Sequence, residues 1–194
     1  LPELMKRVKY ASAIMAISDA GNGVMWISQE RVGLFLYNLY NNEISSFSDF
    51  KELRDKNIDE VRVMTGCKNG NGVWIAPDYT TNIYMMKRDG MKMLLSYTIK
   101  MPSYLTPTSV KSLYESSAGM LWIGASNRFF CYDIKKGSLK TMMDDCGTIY
   151  GIAEDGNGNI WSCSGEKGLY KYSTEGQIFH YYDHQGMTAI SVSN

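Results

Sequence analysis

The sequence predicts an all-β protein built from repeated units of four short strands. Three observations support this prediction. Its 194 residues include four tryptophans, and each follows a turn of small residues that contains glycine. The tryptophans are spaced 48, 48 and 39 residues apart, a period typical of repeated β-sheet units. Glycine (18) and tyrosine (14) are abundant and proline (4) is scarce, as expected of short strands joined by tight turns.

The turn and the strand that follows it form one motif, which we call the Trp motif. Its four copies are GNGVMWIS (21–28), GNGVWIA (70–76), SAGMLWIG (117–124) and GNGNIWSC (156–163). The tryptophans are Trp26, Trp74, Trp122 and Trp161. Because buried aromatic rings dominate the packing between sheets, we expect all four to be core residues rather than a platform for stacking sugars.

Each copy of the motif is flanked by further strand patterns. One apolar strand precedes the turn, and two follow the Trp strand. The preceding strands are 12–20, 59–67, 109–117 and 148–155, the next are 33–38, 82–88, 128–134 and 168–173, and the last are 44–50, 91–99, 138–143 and 177–183. Four-stranded units at this period predict β-propeller blades. Nearly continuous apolar runs such as FFCY (129–132) fit inner strands that are buried on both faces.

The blade pattern sets the expected domain organisation. We expect one propeller domain or fragment over 1–194, with repeats at approximately 8–56, 57–104, 105–144 and 145–185, and with 186–194 starting a further blade. Residues 1–9 resemble the outer strand of a preceding blade. Segment 48–58 has helical spacing, whereas the proline-bearing segment 101–108 is expected to be an extended loop. We expect a part of a longer protein, with exposed blade faces through which chains self-associate, two chains forming one eight-bladed ring.

Composition excludes several classes of function. The 20 basic and 20 acidic residues balance, and no basic block exists, so nucleic acid is not an expected partner. No run approaches the ~20 apolar residues of a membrane span. The four cysteines lack metal-binding spacing and are expected to be buried small hydrophobes, although a Cys146–Cys163 disulfide remains open.

Two copies of the repeat carry a family resemblance. Segments IAEDGNGNIWSCSGEKGLYKYSTEG (152–176) and ISDAGNGVMWISQERVGLFLYN (17–38) resemble the two-component regulator propeller repeats of hybrid two-component systems from gut Bacteroidetes, and the other two copies depart further. The resemblance implies a non-catalytic periplasmic sensor segment of an inner-membrane receptor whose remaining parts include a histidine kinase. It also implies carbohydrate ligands. The family has no fixed ligand motif, so no ligand residue is carried over.

Blade topology indicates where a ligand would bind. Loops between the second and third strands, together with the connections between blades, meet at one face of a propeller, and binding residues concentrate on such loops. Asp78, Tyr79 and Arg128 are the favoured candidates. The full set is Arg31, Asp78, Tyr79, Tyr104, Arg128, Asp144, Asp145, Glu166 and Lys167.

Signals for catalysis, cofactors and metals are weak. His180 and His184 have no third ligand nearby, and the run DGNGN (155–159) lacks the glutamate of a calcium loop, so we interpret it as a hairpin turn. No nucleophile elbow, zinc motif or phosphate loop occurs, and no cofactor is expected. Two alternatives to a sensor remain: an enzyme similar to streptogramin lyases, which would need histidine in these loops, and a protein-binding scaffold.

Overall fold

The computed structural model describes residues 13–70, 72–106 and 109–181. Within these residues, sixteen strands form four antiparallel sheets of four strands each, and in every sheet the strands are neighbours in chain order. The predicted all-β fold of four-stranded blades is therefore confirmed. The chain divides into two compact units between Ser109 and Val110, and each unit contains two of the sheets.

The first unit contains sheets A and B. Sheet A comprises β1 (Ile14–Asp19), β2 (Val24–Gln29), β3 (Gly33–Asn38) and β4 (Ile44–Ser46). Sheet B comprises β5 (Val61–Gly66), β6 (Val73–Pro77), β7 (Ile83–Asp89) and β8 (Lys92–Ile99). Between them lie a 3-10 turn (Phe47–Asp49) and a one-turn helix, α1 (Lys51–Arg54), as the spacing in 48–58 predicts. Among the described residues, no helix has the length and apolar character needed to span a membrane.

The second unit contains sheets C and D. Sheet C comprises β9 (Val110–Glu115), β10 (Met120–Ala125), β11 (Arg128–Asp133) and β12 (Ser138–Asp144). Sheet D comprises β13 (Ile149–Glu154), β14 (Ile160–Ser164), β15 (Gly168–Tyr172) and β16 (Ile178–Tyr181). The strands agree with the predicted pattern to within a few residues. The segments 1–9 and 186–194, expected to belong to further blades, lie outside the described residues.

The first strand of every sheet contains a bulge at the same position. One extra residue interrupts the pairing of β1, β5, β9 and β13 with the following Trp strand. The extra residues are Met15, Arg62, Lys111 and Tyr150. A bulge bends the strand and redirects the side chain of the extra residue. This position matters for the candidate site.

Within the first unit, the side of sheet A that carries its tryptophan packs against sheet B. We call this the Trp side of a sheet. Trp26 is fully buried in a cluster with Leu36 of sheet A and with Val61 and Ile75 of sheet B. The buried hydroxyl of Ser28, two residues after Trp26, donates a hydrogen bond to the carbonyl of Val61. The Trp side of sheet A is therefore an inter-sheet interface.

The second unit repeats this arrangement. The ring of Trp122 stacks on Phe129 at 5.4 Å and lies 5.6 Å from Tyr172 of sheet D. Ile149, the first residue of β13, is fully buried in the same cluster. The Ser112 hydroxyl donates to the Ile149 carbonyl at 2.9 Å, as Ser28 does to Val61 in the first unit. The Trp side of sheet C thus packs on sheet D.

The four tryptophans differ in burial. All four were expected to be core residues. Trp26, Trp74 and Trp122 are buried, whereas Trp161 is only partly buried. Trp161 is absent from the cluster that joins sheets C and D. Its ring is instead covered in part by Tyr181, at 5.8 Å, and by the ammonium group of Lys171. Trp161 therefore lies on a sheet face that no following sheet covers among the described residues.

The Asp155 carboxylate organises the turn before Trp161. It accepts hydrogen bonds from the Asn157 and Asn159 backbone N–H groups at 2.9 and 3.0 Å and from the Trp161 indole N–H at 2.9 Å. These contacts fit the hairpin interpretation of DGNGN. In sheets A and C the equivalent residues are Ala20 and Ser116, and among the described residues the buried indole nitrogens of Trp26 and Trp122 have no hydrogen-bond partner. All four cysteines are free thiols, so Cys146 and Cys163 are not joined.

Candidate functional site

In the first unit, the start of β5 and the loop after β6 form a cluster of charged residues. Glu60 directly precedes β5, and Asp78 directly follows β6. The Asp78 backbone N–H donates to the Glu60 carbonyl at 2.8 Å, which extends the pairing of the two strands into the loop. The two carboxylates are thereby brought to the same end of sheet B, the end at which blade topology predicts ligand binding.

Arg62 holds the two carboxylates. It is the extra residue of the β5 bulge, and its Nη2 donates to Glu60 Oε1 while its Nε donates to Asp78 Oδ2. Glu60 and Asp78 are only 5% and 8% exposed, whereas about half of the Arg62 side chain (49%) is exposed. Buried carboxylates are stable only when they are paired and hydrogen-bonded. A single guanidinium group therefore fixes both acids at the surface of the unit.

Tyr79 completes the cluster. Its hydroxyl donates to Glu60 Oε2 at 3.1 Å, while 59% of the residue remains exposed. The hydrogen bond limits the motion of the ring and leaves an apolar surface open to solvent. Such a ring provides contact area at a low cost in conformational entropy.

The charges of the cluster shift the pKa values of its members. The hydrogen bond from Arg62 is the main cause that lowers the pKa of Glu60 below its ordinary 4.5, and burial opposes this shift. The same contact raises the pKa of Arg62, and the hydrogen bond to Glu60 raises the pKa of Tyr79. Arg31, in the loop after β2, adds positive charge that helps to lower the pKa of Glu60. At neutral pH Glu60 is ionised and Tyr79 retains its proton.

The chemistry of this arrangement favours binding over catalysis. The Glu60 carboxylate can accept more hydrogen bonds than Arg62 and Tyr79 supply, and the Arg62 guanidinium group has further N–H donors. An ionised Glu60 is not a general acid, and none of these hydrogen bonds involves a serine, cysteine or histidine nucleophile. Over residues 13–70, 72–106 and 109–181, no three His, Cys, Asp or Glu side chains are grouped closely enough to hold a metal ion.

The predicted residues of the first unit are partly brought together. Asp78 and Tyr79 belong to the cluster, and Arg31 contributes to its electrostatics. Tyr104 lies in the loop after β8 with its side chain more than half exposed, and the three hydrogen bonds of the cluster do not involve it. Sequence reasoning missed Glu60 and Arg62. The signal that could have found them is the pair of opposite charges, Glu60 and Arg62, on either side of the first residue of β5. The first strands of the other three sheets have no such pair at these positions.

The predicted residues of the second unit form surface contacts with one another. Arg128 pairs with Asp144, its partner across β11 and β12, at 2.6 Å, and both are substantially exposed. Lys167 pairs with Asp145 at 2.8 Å, which lowers the pKa of Asp145. The first ion pair joins two neighbouring strands, and the second joins the loop after β14 to the connection after β12. As ligand residues Arg128, Asp144, Asp145 and Lys167 stay predictions.

Two further residues of this unit have structural partners. Glu166 accepts a hydrogen bond from the Thr148 backbone N–H at 2.6 Å, the main cause that lowers the pKa of Glu166. This contact ties the loop after β14 to the connection before β13. The ring of His180 stacks on Tyr170 at 4.3 Å. His184 lies outside the described residues.

A cleft lies between sheets C and D. This cleft has a volume of about 360 Å³, and Trp122 and Tyr172 form part of its wall. Asp133 and Lys140 also line it. It lies near the turns between the third and fourth strands, at the opposite end of the sheets from Arg128 and Glu166.

Comparisons with known proteins bear on the fold. No protein-family model matches the chain, and no curated protein is found to be similar to it. Among solved structures, the extracellular domain of the hybrid two component system BT4673 from B. thetaiotaomicron is 19% identical with a TM-score of 0.72, over 92% of this chain and 23% of that one. The corresponding domain of BT3049 from the same organism is 14% identical with a TM-score of 0.54, over 95% and 30%.

A third similar structure is an enzyme. The catalytically inactive H270A variant of virginiamycin B lyase from Staphylococcus aureus, solved with quinupristin, is 13% identical with a TM-score of 0.69. The match covers 91% of this chain and 58% of the lyase. The chain thus spans about a quarter of the length of the two-component domains that it matches. The resemblance predicted from the repeats is confirmed at the level of the fold: the chain shares its β-propeller blades with the extracellular domains of hybrid two-component systems from B. thetaiotaomicron.

Proposed function

We propose that this chain is a ligand-binding segment of an extracytoplasmic sensor in a two-component signalling receptor, and that the cluster around Glu60 and Tyr79 binds an oligosaccharide. The observation that carries the proposal is the pair of buried carboxylates fixed by Arg62 beside an exposed aromatic ring. The likeness to extracellular domains of two-component systems supports the sensor role.

The chemistry of the cluster suits a sugar. Hydroxyl groups donate to carboxylates and accept from guanidinium groups, and charge-assisted hydrogen bonds of this kind are stronger than neutral ones. The open face of Tyr79 would stack on the C–H groups of a pyranose ring. Because Arg62 and Tyr79 already hold Glu60, little conformational entropy remains to be lost when the ligand binds.

Local charge indicates a neutral ligand. The two carboxylates of Glu60 and Asp78 are opposed by the guanidinium groups of Arg62 and Arg31. With these formal charges balanced, neither a uronic acid nor an amino sugar gains net attraction. We therefore expect hexose or pentose oligosaccharides without ionised groups to bind best.

An enzymatic role has less support. A lyase of the virginiamycin B type would need a histidine free to act at the loop end, and the described His180 is stacked on Tyr170. Glu60, whose pKa is lowered, is ionised at neutral pH and cannot protonate a leaving group. A non-catalytic segment accords with these contacts.

The test is a thermal-shift screen of the 194-residue chain with neutral, acidic and amino oligosaccharides. We expect at least one neutral oligosaccharide to raise the Tm, because a ligand present at 100 times its Kd stabilises the folded state by about 2.7 kcal/mol. Tyr79→Ala should weaken that ligand at least about tenfold, equivalent to about 1.4 kcal/mol.

The matched control is Tyr40→Ala. Tyr40 is 81% exposed in the turn between β3 and β4 of the same unit, at the other end of the sheet from the loop after β2. This variant should bind as the wild type does. If Tyr40→Ala weakened binding as much as Tyr79→Ala, the cluster would not be the site. No shift with any glycan, together with a specific protein partner, would instead favour a scaffold.

A further inference from the structure

The cleft between sheets C and D opens on the Trp side of sheet C. The strand register places Trp122 opposite Cys131 and Cys131 opposite Lys140, so these three side chains lie in one row on that side. The next row on the same side comprises Met120, Asp133 and Ser138. All six line the cleft, together with Tyr172 at the end of β15 and residues of the turn that follows it. The cleft therefore belongs wholly to the second unit.

Aromatic and thioether groups give the cleft an apolar wall. The ring centroids of Trp122 and Tyr172 are 5.6 Å apart. Phe129 stacks on Trp122 at 5.4 Å and lies 4.9 Å from Tyr172, so the position of both rings is fixed by packing. The thioethers of Met120 and Met142 line the same space, and methionine adapts to the shape of an apolar partner. The wall is thus rigid at the rings and adaptable beside them.

Two charged residues line the cleft, and they differ in their partners. The Asp133 carboxylate accepts hydrogen bonds from the backbone N–H groups of Lys135 and Lys136 at 3.0 and 2.9 Å, and it pairs with the Lys136 ammonium group at 3.4 Å. Lys140 has no ion-pair partner among the described residues. The cleft therefore contains one positive charge that the described part of the chain does not neutralise.

The charge of Lys140 acts on the interior of the cleft. Burial is the main cause that raises the pKa of Cys131 to about 11. Asp133 adds to this rise and Lys140 opposes it, so the ammonium group affects a thiol that is only 5% exposed. At neutral pH the Cys131 thiol keeps its proton and does not occupy Lys140 as an anion.

We propose that this cleft binds a small aromatic carboxylate, with its ring against Trp122, Tyr172 and the thioethers and its carboxylate on the ammonium group of Lys140. A volume of about 360 Å³ is at the lower end of the range of ligand pockets, which suits a single ring. One ammonium group beside an already paired carboxylate matches a ligand with one negative charge. Binding here depends neither on the proposed sugar site nor on the sensor role.

Three phenyl compounds of equal length and different charge provide the test: 3-phenylpropionate, 3-phenylpropanol and 3-phenylpropylamine. Each is titrated to about 10 mM into the isotope-labelled 194-residue chain, since ligands of this size bind weakly. The four tryptophans give four indole N–H signals, and Trp122→Phe identifies the signal of Trp122. Binding is measured from this signal and from the backbone amides of Cys131, Asp133 and Lys140.

We expect saturable changes at these positions with 3-phenylpropionate. The alcohol should bind about fivefold more weakly, because an exposed ion pair contributes up to about 1 kcal/mol. The amine should bind more weakly still, since Lys140 repels its charge. An acid that binds no more tightly than the alcohol would overturn the proposal. Changes centred on another tryptophan, or no saturable change with the acid, would overturn it equally.

Lys140→Glu reverses the charge at the cleft and should make the amine bind more tightly than the acid. Lys135→Glu is the matched control, because Lys135 is an exposed cation in the turn between β11 and β12, outside the lining of the cleft, and the change of net charge is the same. This control should keep the wild-type order of affinities. Far-ultraviolet circular dichroism establishes that both variants are folded.

The outcomes separate a specific site from a general effect of charge. If folded Lys140→Glu still prefers the acid, or loses all three compounds equally, Lys140 does not bind the carboxylate and the proposal is wrong. If Lys135→Glu reverses the order as Lys140→Glu does, net charge alone sets the preference, and the proposal is wrong as well.

Discussion

Replacing Arg62 with methionine tests whether one guanidinium group stabilises the carboxylate cluster. The change removes the donors to Glu60 and Asp78 and keeps an unbranched apolar side chain at the bulge. Hydrogen bonds to charged groups contribute about 1.5–3 kcal/mol each, so the two contacts give an upper value of about 3–6 kcal/mol. Exposed ion pairs contribute only up to about 1 kcal/mol. Because half of Arg62 is exposed, we expect a loss of about 2 kcal/mol.

The loss should depend on pH. The pKa of Glu60 lies below its ordinary 4.5, chiefly because of Arg62, so this contribution to the free energy of unfolding is present above about pH 4.5. It is lost as the pH falls through the lowered pKa in the folded state. The Tm difference between wild type and Arg62→Met should be about 4–8 °C at pH 7 and should shrink below pH 4.5.

Differential scanning calorimetry at pH 7 and at pH 3.5 would measure both quantities. Lys111→Met is the matched control, since Lys111 is the cation at the equivalent bulge of β9. The control should change the Tm by less than Arg62→Met at pH 7. If Arg62→Met were as stable as the wild type at pH 7, or if its deficit were unchanged at pH 3.5, the cluster would not be stabilised in the way described.

Two further predictions concern the second unit. Ile149→Ala should lower the free energy of unfolding by about 2–5 kcal/mol, because Ile149 is fully buried between sheets C and D. Tyr150→Ala, at the exposed bulge beside it, should change the free energy of unfolding little. Denaturant titration of both variants compares the two changes. Asp155→Ala should lower the Tm, because it removes the acceptor of the Trp161 indole N–H. The hydrogen bond from Trp161 is the main cause that lowers the pKa of Asp155, so the Tm difference from wild type should persist above pH 3.8 and vanish as the pH falls well below it. Thermal melts at several pH values, monitored by tryptophan fluorescence, measure this difference. An unchanged Tm at neutral pH would mean that Asp155 is only a surface residue.

The sequence was sufficient for the fold because its strongest signals are local and repeated. Each Trp motif places a turn next to an apolar strand, and four repetitions of the same order of strands leave few architectures open. The short helix after β4 was also predictable from the spacing of Phe50 and Leu53. The partial burial of Trp161 was not predictable, because its motif is nearly identical to that of the buried Trp26. Burial of the ring depends on whether another sheet covers it.

The candidate site was only partly predictable for a different reason. Asp78 and Tyr79 are in a loop that blade topology selects, so their place could be derived from the repeat. Arg62 is the extra residue of a bulge, and regular alternation of a strand does not predict where a bulged side chain points. Glu60 lies just before the strand and becomes informative only once Arg62 is seen to reach it.

The measurement that most directly tests the central claim is a map of amide chemical-shift changes as a neutral oligosaccharide identified by the screen is titrated into the labelled chain. A ligand bound at the cluster should produce the largest changes at Glu60–Arg62 and at Asp78–Tyr79, and in Tyr79→Ala the same changes should require at least about tenfold more ligand. Changes centred on the Gly/Asn turns at the other end of the sheets, or on the cleft beside Trp122, would contradict it.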